Sequence, residues 1–550
     1  MTTLLLGDLN ENFALTGNKK GKKQSLTGTD NDSINMISGD VGFMYDRSKG
    51  GNDVLQGGNN TSGMLANGLA GDSVLMFDST KGGNDKLQGG NNSGGILANA
   101  LAGDAVLMFD SAKGGNDKLQ GGNNSGGMLI NGLVGDGTLM LESSKGGNDK
   151  LQGGSNSGGI LANALAGDAV LIFDSAKGGN DKLQGGNNDG GGILVEALAG
   201  DAAIMFGSAK GGNDKLWGGN NSGDGTLVNV LVGDALTMLE HARGGNDTLW
   251  GSNNNGTGNV TNILYGDARD MINPTHTDNL HRDKDDYNDD EAEDDDHDAH
   301  RNDHRGDHHD DHISDSTHAG NDHLISGINA TDHMYGDAKN IILNSTPFSG
   351  TEISGFIKAW IDTFGINLID RFLRSGESEI NFDAANLDSF ANINSIVNQL
   401  PHIPGANIAD FINSLIDTLG SNLINEFLQL AGSRIDFDAT NPVSLGDINN
   451  IVNKLRDIFE SNENLTFTNP SSGGADTFIF IDTFGNDYIY DFRQSDKDQI
   501  KFDVAGVDSF DDLDISDNGN DTMISVADHG TVTLVGVTGL DLSGNISFSS

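Results

Sequence analysis

The chain has 550 residues and a formal net charge of −48, with 80 acidic against 32 basic residues. Such a chain is a poor partner for nucleic acid, because phosphate backbones are bound by clustered Lys and Arg. The 79 Gly residues follow no triplet period, which excludes collagen and predicts many turns, and the absence of Cys excludes disulfides and thiolate metal sites.

The N-terminus, MTTLLLGDLNENF, has no basic segment and only a three-residue run of Leu. It therefore does not predict a cleavable secretory signal. No stretch of the sequence approaches the roughly 20 apolar residues that span a bilayer, so we expect no membrane-spanning helix. If the protein is exported, we expect its export signal elsewhere in the chain.

From its first residues to about residue 272 the chain is an array of repeats. Two short motifs, GGND and an apolar pair followed by GD, recur at steps of 32 or 33 residues. The GGND motif supplies Asp53, Asp85, Asp117, Asp149, Asp181, Asp214 and Asp247. The GD motif supplies Asp40, Asp72, Asp104, Asp136, Asp168, Asp201, Asp234 and Asp267. A fixed period of this size is typical of a solenoid.

Each repeat contains short apolar pieces, such as KLQ, ILANALA and AVLMF, separated by Gly, Asn, Ser and Asp. Such pieces predict strands, although ILANALA could also form a short helical turn. We therefore predict a mainly β protein with a parallel, β-roll-like solenoid in which each repeat forms one coil or a regular fraction of one. We expect Leu119 in an interior column and Asp117 in an exterior one.

Stacking has a consequence for the Asp residues. Equivalent residues on adjacent coils lie about 4.8 Å apart, where two carboxylates repel by roughly 1 kcal/mol even in water. A cation between the coils would remove this repulsion. Carboxylates, backbone carbonyls next to Gly and the amides of Asn84 and Asn116 are oxygen ligands, which suit Ca²⁺ better than Mg²⁺ or zinc. The alternative is that these Asp residues only cap turns, and for the GD motif both interpretations stay open.

The segments GGNDKLQGG, ARGGNDTLWG (242–251) and NILYGDA (262–268) resemble the calcium-binding repeats of RTX (hemolysin-type) proteins, which leave bacteria by type I secretion. The resemblance covers about residues 1–345 and 471–550, and it implies a calcium-binding β-roll. The family pattern has another Asp nine residues after each GGND Asp, where this chain has residues such as Ser62 and Gly94. We therefore expect fewer calcium ions than in a short-period β-roll.

Two insertions interrupt the array. Residues 273–316 are rich in Asp and His and have few apolar residues, which predicts a disordered loop. The alternative is a metal-binding tether with His304, His308, His309 and His312 as ligands. The array resumes over 317–347, where Asp322 belongs to the GND motif.

The second insertion, 348–465, contains a duplication in which residues 353–400 recur as 408–455. Its apolar residues have the spacing of amphipathic helices. We expect these helices to pack on each other or on the end of the solenoid. A membrane-surface role is the weaker alternative, because the polar face is not basic enough to favour anionic lipid.

The last block, 466–550, alternates Phe, Ile and Tyr with polar residues, which predicts strands. It resembles the C-terminal cap and uncleaved secretion signal of RTX proteins, so the resemblance supplies the export signal that the N-terminus lacks. We expect calcium ligands here at Asp476, Asn486, Asp487 and Asp491.

These features predict a non-enzymatic, secreted calcium-binding protein that folds after export into a surface-layer, matrix, adhesive or other extracellular structural component. Calcium and a type I secretion apparatus are the expected partners, and self-association or binding to cell-surface or matrix components are further candidates. The alternatives are a soluble binding or signalling factor, or an enzyme with an unrecognised active site in the helical module. The latter is disfavoured because the chain has no HExxH, nucleophile-elbow or P-loop motif.

Overall fold

The computed structural model describes residues 2–7, 14–31, 34–239, 241–274, 319–344, 466–467 and 474–549. Over these residues the chain is a parallel β-solenoid in which each repeat of 32 or 33 residues makes one turn with three strands. The predicted fold is therefore confirmed. ILANALA is strand Ile96–Ala102 and not a helical turn.

The three strands of each turn belong to three different sheets. Sheet A contains, in spatial order, β1 (Thr2–Leu6), β4 (Ile34–Ser38), β7 (Met64–Ala70), β10 (Ile96–Ala102), β13 (Met128–Val134), β16 (Ile160–Ala166), β19 (Ile193–Ala199), β22 (Thr226–Val232), β25 (Asn259–Tyr265), β28 (Thr331–Tyr335), β32 (Gly485–Ile489), β36 (Gly530–Leu534), β35 (Thr522–Val526) and β34 (Leu513–Asp517).

The second strand of each turn lies in sheet B. This sheet contains β2 (Ala14–Leu15), β5 (Phe43–Met44), β8 (Ser73–Met76), β11 (Ala105–Met108), β14 (Gly137–Met140), β17 (Ala169–Ile172), β20 (Ala202–Met205), β23 (Ala235–Leu239), β26 (Ala268–Pro274), β29 (Ala338–Asn344) and β30 (Thr466–Phe467).

The third strand of each turn lies in sheet C. This sheet contains β3 (Ser25–Thr27), β6 (Val54–Gln56), β9 (Lys86–Gln88), β12 (Lys118–Gln120), β15 (Lys150–Gln152), β18 (Lys182–Gln184), β21 (Lys215–Trp217), β24 (Thr248–Trp250), β27 (His323–Ile325), β31 (Thr477–Ile481), β33 (Gln499–Asp503) and β37 (Ile546–Phe548). Three short 3-10 helices lie near the C-terminus, at Gln494–Asp496, Phe510–Asp512 and Leu542–Gly544.

Equivalent residues of successive repeats stack in register and fill the interior. Leu119 on sheet C pairs with Leu87 on one side and Leu151 on the other, and all three are buried. Met108 is fully buried on sheet B in the same turn, and its neighbours in register are also Met. Apolar columns from all three sheets therefore form the core, and the expected interior position of Leu119 is confirmed.

Both insertions leave the solenoid register intact. Thr248 of β24 pairs with His323 of β27, which in turn pairs with Thr477 of β31. The first insertion thus lies between β26 of sheet B and β27 of sheet C, and the second lies between β29 and β30, both of sheet B. The Asp/His-rich segment from residue 275, with its four candidate His ligands, and the helical duplication lie outside the described residues.

The C-terminal block has the strands that its sequence predicts. Sheet A ends in antiparallel pairs of β34 with β35 and β35 with β36, whereas the repeats pair in parallel. In the sheet C column Phe478 follows Leu324 in register. Phe478, Phe480 and Phe502 are fully buried beside smaller apolar residues such as Ile500 and Val532, so the core continues to the end of the array.

Candidate metal centre

Two columns of buried Asp run along the solenoid. We call the first the GD column, because each member follows a GD Gly between sheets A and B, and the second the GND column, because each member directly precedes a strand of sheet C. No member is more than 5 % exposed. The GD column consists of Asp40, Asp72, Asp104, Asp136, Asp168, Asp201, Asp234, Asp267 and Asp337. The GND column consists of Asp53, Asp85, Asp117, Asp149, Asp181, Asp214, Asp247, Asp322 and Asp476.

The fold brings the two columns together. In three successive turns, carboxylate oxygens of two GD residues and the GND residue between them all lie within 4.8 Å of one another. These groups are Asp40–Asp53–Asp72, Asp72–Asp85–Asp104 and Asp104–Asp117–Asp136. Because neighbouring groups share a GD residue, the carboxylates form a continuous line and not isolated sites.

Backbone amides hold one oxygen of each carboxylate in place. The amide of Gly115 donates to Oδ2 of Asp104 at 2.7 Å, so the Gly pair of GGND orients the GD residue. The amide of Asp85 donates to Oδ1 of Asp117 at 2.6 Å, so each GND residue orients the next one. The site is therefore fixed by backbone geometry that repeats in every turn.

The second oxygen of many of these carboxylates is buried without a hydrogen-bond partner. Within the described part of the chain this applies to Oδ1 of Asp72 and Asp104 and to Oδ2 of Asp85, Asp117, Asp149, Asp181, Asp214, Asp234, Asp247, Asp267 and Asp322. Buried polar atoms are nearly always paired, and a buried carboxylate is strongly disfavoured unless a counter-charge is present. A row of such oxygens indicates a bound cation or bound protons.

The pKa values of these Asp residues also indicate that a cation or protons must neutralise the buried carboxylates. Burial raises the pKa of Asp117 well above its usual range, and the nearby carboxylates of Asp104 and Asp149 raise it further. Burial also raises the pKa of Asp181 to about 7. At neutral pH these groups need either protons or a metal ion to be stable inside the fold.

Glycines leave room for the carboxylates. A Cβ added at Gly114 would overlap the carboxylate of Asp136, and one added at Gly103 would overlap the carbonyl of Gly135 and the carboxylate of Asp117. Neither Gly has a positive φ, so close approach and not backbone conformation requires Gly here. The same space is lined by carbonyl and carboxylate oxygens, which is the donor set of a hard cation.

We expect Gly103→Ala to lower the free energy of unfolding by about 1–3 kcal/mol, because the added methyl overlaps fixed backbone and carboxylate atoms. Gly132→Ala is the matched control, since its added Cβ would lie 3.8 Å from the carbonyl oxygen of Asn99. Denaturant unfolding followed by circular dichroism measures both. Equal stability of the two variants would contradict the proposed tight packing around Gly103.

The structure corrects one expectation about these columns. Asp117 is not exterior but buried, with 3 % exposure. The reason is strand alternation: Lys118 points outward, so Asp117 and Leu119 lie on the same inward side. The Asp column is therefore an internal feature of the turn.

The amides expected to bind metal lie elsewhere. Asn84 and Asn116 are exposed, and Oδ1 of Asn84 accepts a hydrogen bond from the amide of Asn116 at 2.9 Å. They form an outer ladder that joins successive turns.

The four residues expected as C-terminal ligands do not form one site. Asp476 belongs to the GND column, and its Oδ1 accepts from the amide of Asp322 at 2.8 Å. Asp491 accepts from the amide of Asp337 at 3.0 Å, near the end of the GD column, and burial raises its pKa to about 6. Asn486 is exposed, whereas Asp487 is buried on the opposite face of β32.

Asp487 belongs to a buried polar column that the sequence analysis missed. This column lies on the inner face of sheet A and contains Asn35, Asn67, Asn99, Asn131, Asn163, Glu196, Asn229, Asn262, Asp332 and Asp487. In a regular turn, Nδ2 of Asn67 donates to Oδ1 of Asn99 at 2.8 Å and to the carbonyl of Gly58 at 2.9 Å. The signal was present, since an Asn recurs at the centre of most apolar ILANALA-type segments.

A second amide column lies between sheets C and A and contains Asn60, Asn92, Asn124, Asn156, Asn188, Asn221 and Asn254. Nδ2 of Asn92 donates to Oδ1 of Asn124 at 3.0 Å. Because these amides bond to one another and to backbone carbonyls, they join the turns; Oδ1 of Asn60, the first of the column, is the member that is buried without a hydrogen-bond partner in the described residues.

The part of the chain that the structure describes contains no helix long and apolar enough to cross a membrane.

Comparison with known proteins finds no match to this chain among protein-family models, curated proteins or solved structures. The metal-binding hypothesis rests on the geometry and chemistry of the two Asp columns.

Proposed function

We propose that this protein is a secreted, calcium-binding scaffold that folds on binding calcium after export and serves as an extracellular structural, surface-layer, matrix or adhesive component. The observation that carries the proposal is the line of buried carboxylate oxygens without hydrogen-bond partners in the GD and GND columns. These oxygens are the site that a cation would occupy.

Charge counting favours a divalent ion. Each regular turn buries one GD and one GND Asp, so one divalent ion per turn would balance both charges. The Lys residues of the same turn, such as Lys113 and Lys118, are exposed and point away from the columns. Carboxylate and carbonyl oxygens in a repeated backbone cradle suit Ca²⁺, which accepts six to eight oxygens in flexible geometry.

Calcium binding would couple folding to export. An ion that binds only the folded state stabilises it in proportion to the logarithm of its concentration. Low calcium inside the cell would keep the acidic chain unfolded, and calcium outside would drive folding. The similarity of the C-terminal block to RTX caps supports type I secretion as the route.

Ion uptake tests the proposal directly. We expect isothermal titration of the chelator-treated protein to show about one Ca²⁺ per regular turn and much weaker uptake of Mg²⁺. Asp117→Asn keeps an oxygen that can accept the Asp85 amide but removes one buried charge, so it should lose about one ion. Absence of calcium uptake by the wild-type chain would contradict the proposal.

Asp110→Asn is the matched control for this experiment. Asp110 is a half-buried acidic residue of the same turn, its Oδ2 accepts from the amide of Asp78 at 3.0 Å, and it lies outside the three-carboxylate groups. We expect its calcium uptake to equal that of the wild type. An equal loss in both variants would mean that net charge, and not the buried columns, governs uptake.

A further inference from the structure

The outward side of sheet A is apolar over six successive strands. Alternation directs every second residue of β7, β10, β13, β16, β19 and β22 away from the core. We define the outer face of sheet A as Ala66, Gly68, Ile96, Ala98, Ala100, Met128, Ile130, Gly132, Val134, Ile160, Ala162, Ala164, Ala166, Ile193, Val195, Ala197, Thr226, Val228 and Val230. It contains no charged residue, and Thr226 is its only polar one.

This face is open to solvent. Ala98 and Ala100 are exposed, and Ile193 is 41 % exposed. The outward side of sheet C is different, since it carries rows of Lys and Gln, among them Lys118 and Gln152. Soluble proteins rarely expose an apolar patch of more than a few hundred Å² unless it binds something.

The size of the face fits an interface between two protein chains. Six strands about 4.8 Å apart, each with an accessible stretch of five to seven residues, cover about 29 Å by 19 Å, or about 550 Å². Two such faces would bury about 1,100 Å², which exceeds the roughly 1,000 Å² expected of a specific interface. A second copy of the chain supplies a face of matching area, flatness and strand spacing.

The shape and chemistry of the face also favour a second copy. Small residues such as Ala98, Gly132 and Ala162 allow two sheets to approach to the usual packing distance of about 10 Å. No charge has to be desolvated, and the ridges of one copy match the grooves of another because both have the same repeat. We propose that the outer face of sheet A pairs two copies of this chain, sheet on sheet, in a symmetric dimer.

Sedimentation velocity of the full chain tests this pairing. The inference does not depend on the metal, so the measurement can be made in calcium or in any other buffer in which the chain is folded. We expect the wild type to sediment as a dimer and Ala98→Lys/Ala162→Lys as a monomer, with affinity reduced at least about 100-fold. Gln152→Lys, on the exposed side of sheet C, should remain a dimer. A wild type that is monomeric at about 100 µM, or a double variant that still forms dimers, overturns the proposal.

A second measurement keeps the proposal testable if the Lys variant fails to fold. The chain has no Cys, so Ala164→Cys gives a single reactive thiol on the outer face of sheet A. We expect a short bis-maleimide to cross-link this variant into dimers, and Gln152→Cys to stay monomeric. Equal cross-linking of the two variants, or none in Ala164→Cys, overturns the proposal and leaves the face to a different partner.

Discussion

Removal of divalent cations at about pH 8 is expected to unfold the repeat array, whereas removal at about pH 5 is expected to leave it folded. Burial raises the pKa of Asp181 from 3.8 to about 7, and burial together with neighbouring carboxylates raises that of Asp117 well above its usual range. Without metal, the folded state therefore binds more protons than the unfolded state. Its stability falls as the pH rises from about 4 through the folded-state pKa values.

The effect is large because many groups contribute. A shift from 3.8 to about 7 at Asp181 corresponds to stabilisation on the order of 4 kcal/mol by protons that is lost when the pH rises past 7. Two or three such groups equal the total stability of a typical domain. Calcium would replace the protons and restore the fold at high pH.

Far-UV circular dichroism of the chelator-treated protein across this pH range measures the effect. Addition of calcium at about pH 8 should restore β structure. Addition at about pH 6, where the metal-free array is still folded and its buried Asp residues are protonated, should release protons, which a pH-stat detects. Magnesium at the same concentration is the control and should restore less. If chelation at about pH 8 leaves the β content unchanged, the Asp columns do not need a cation.

The sequence was sufficient to predict the solenoid, because the fold follows from the regular recurrence of the same residue types every 32 or 33 residues. Leu119 and its equivalents recur with every turn and stack on one another. Their contacts can therefore be predicted from the repeat without information on other distant contacts. The same is true of the short strands between Gly-rich turns. Three sheets per turn did not follow from the period alone, since a repeat of this length can form one coil or part of one.

The site could be predicted only in part, because it depends on contacts between motifs. Asp104 and Asp117 are separate motifs in the sequence, and only the closing of the turn brings them together with Asp136. Asn116 follows the same spacing as Asp117, yet alternation puts it on the outer side. Local composition does not tell which of these two neighbouring residues points into the solenoid. The alternation of the following strand does, because Asp117 lies two residues before the inward-pointing Leu119.

One position in the buried polar column of sheet A departs from the Asn pattern and allows the contribution of that column to stability to be tested. Glu196 is fully buried between Asn163 and Asn229 in register, and burial raises its pKa from 4.5 to about 7. Its carboxylate accepts from Nδ2 of Asn163 at 3.0 Å but, when ionised, has no proton to donate onward. Oδ1 of Asn229 is accordingly buried without a hydrogen-bond partner.

We expect Glu196→Asn to stabilise the fold at high pH, because an amide supplies the missing donor and removes a buried charge. The raised pKa of Glu196 means that wild-type stability is lost between about pH 4.5 and pH 7. The advantage of the variant should therefore grow by on the order of 3 kcal/mol from about pH 5 to pH 8. A constant loss of about 1 kcal/mol for the missing methylene is expected at both pH values.

Denaturant unfolding of both proteins at the two pH values, in saturating calcium, measures this difference. Asp189→Ser is the matched control, because it removes an exposed charge nearby and introduces the Ser found at this place in other turns. Its effect should be small and independent of pH. If Glu196→Asn shows the same change in stability at both pH values, ionisation of Glu196 does not limit the fold.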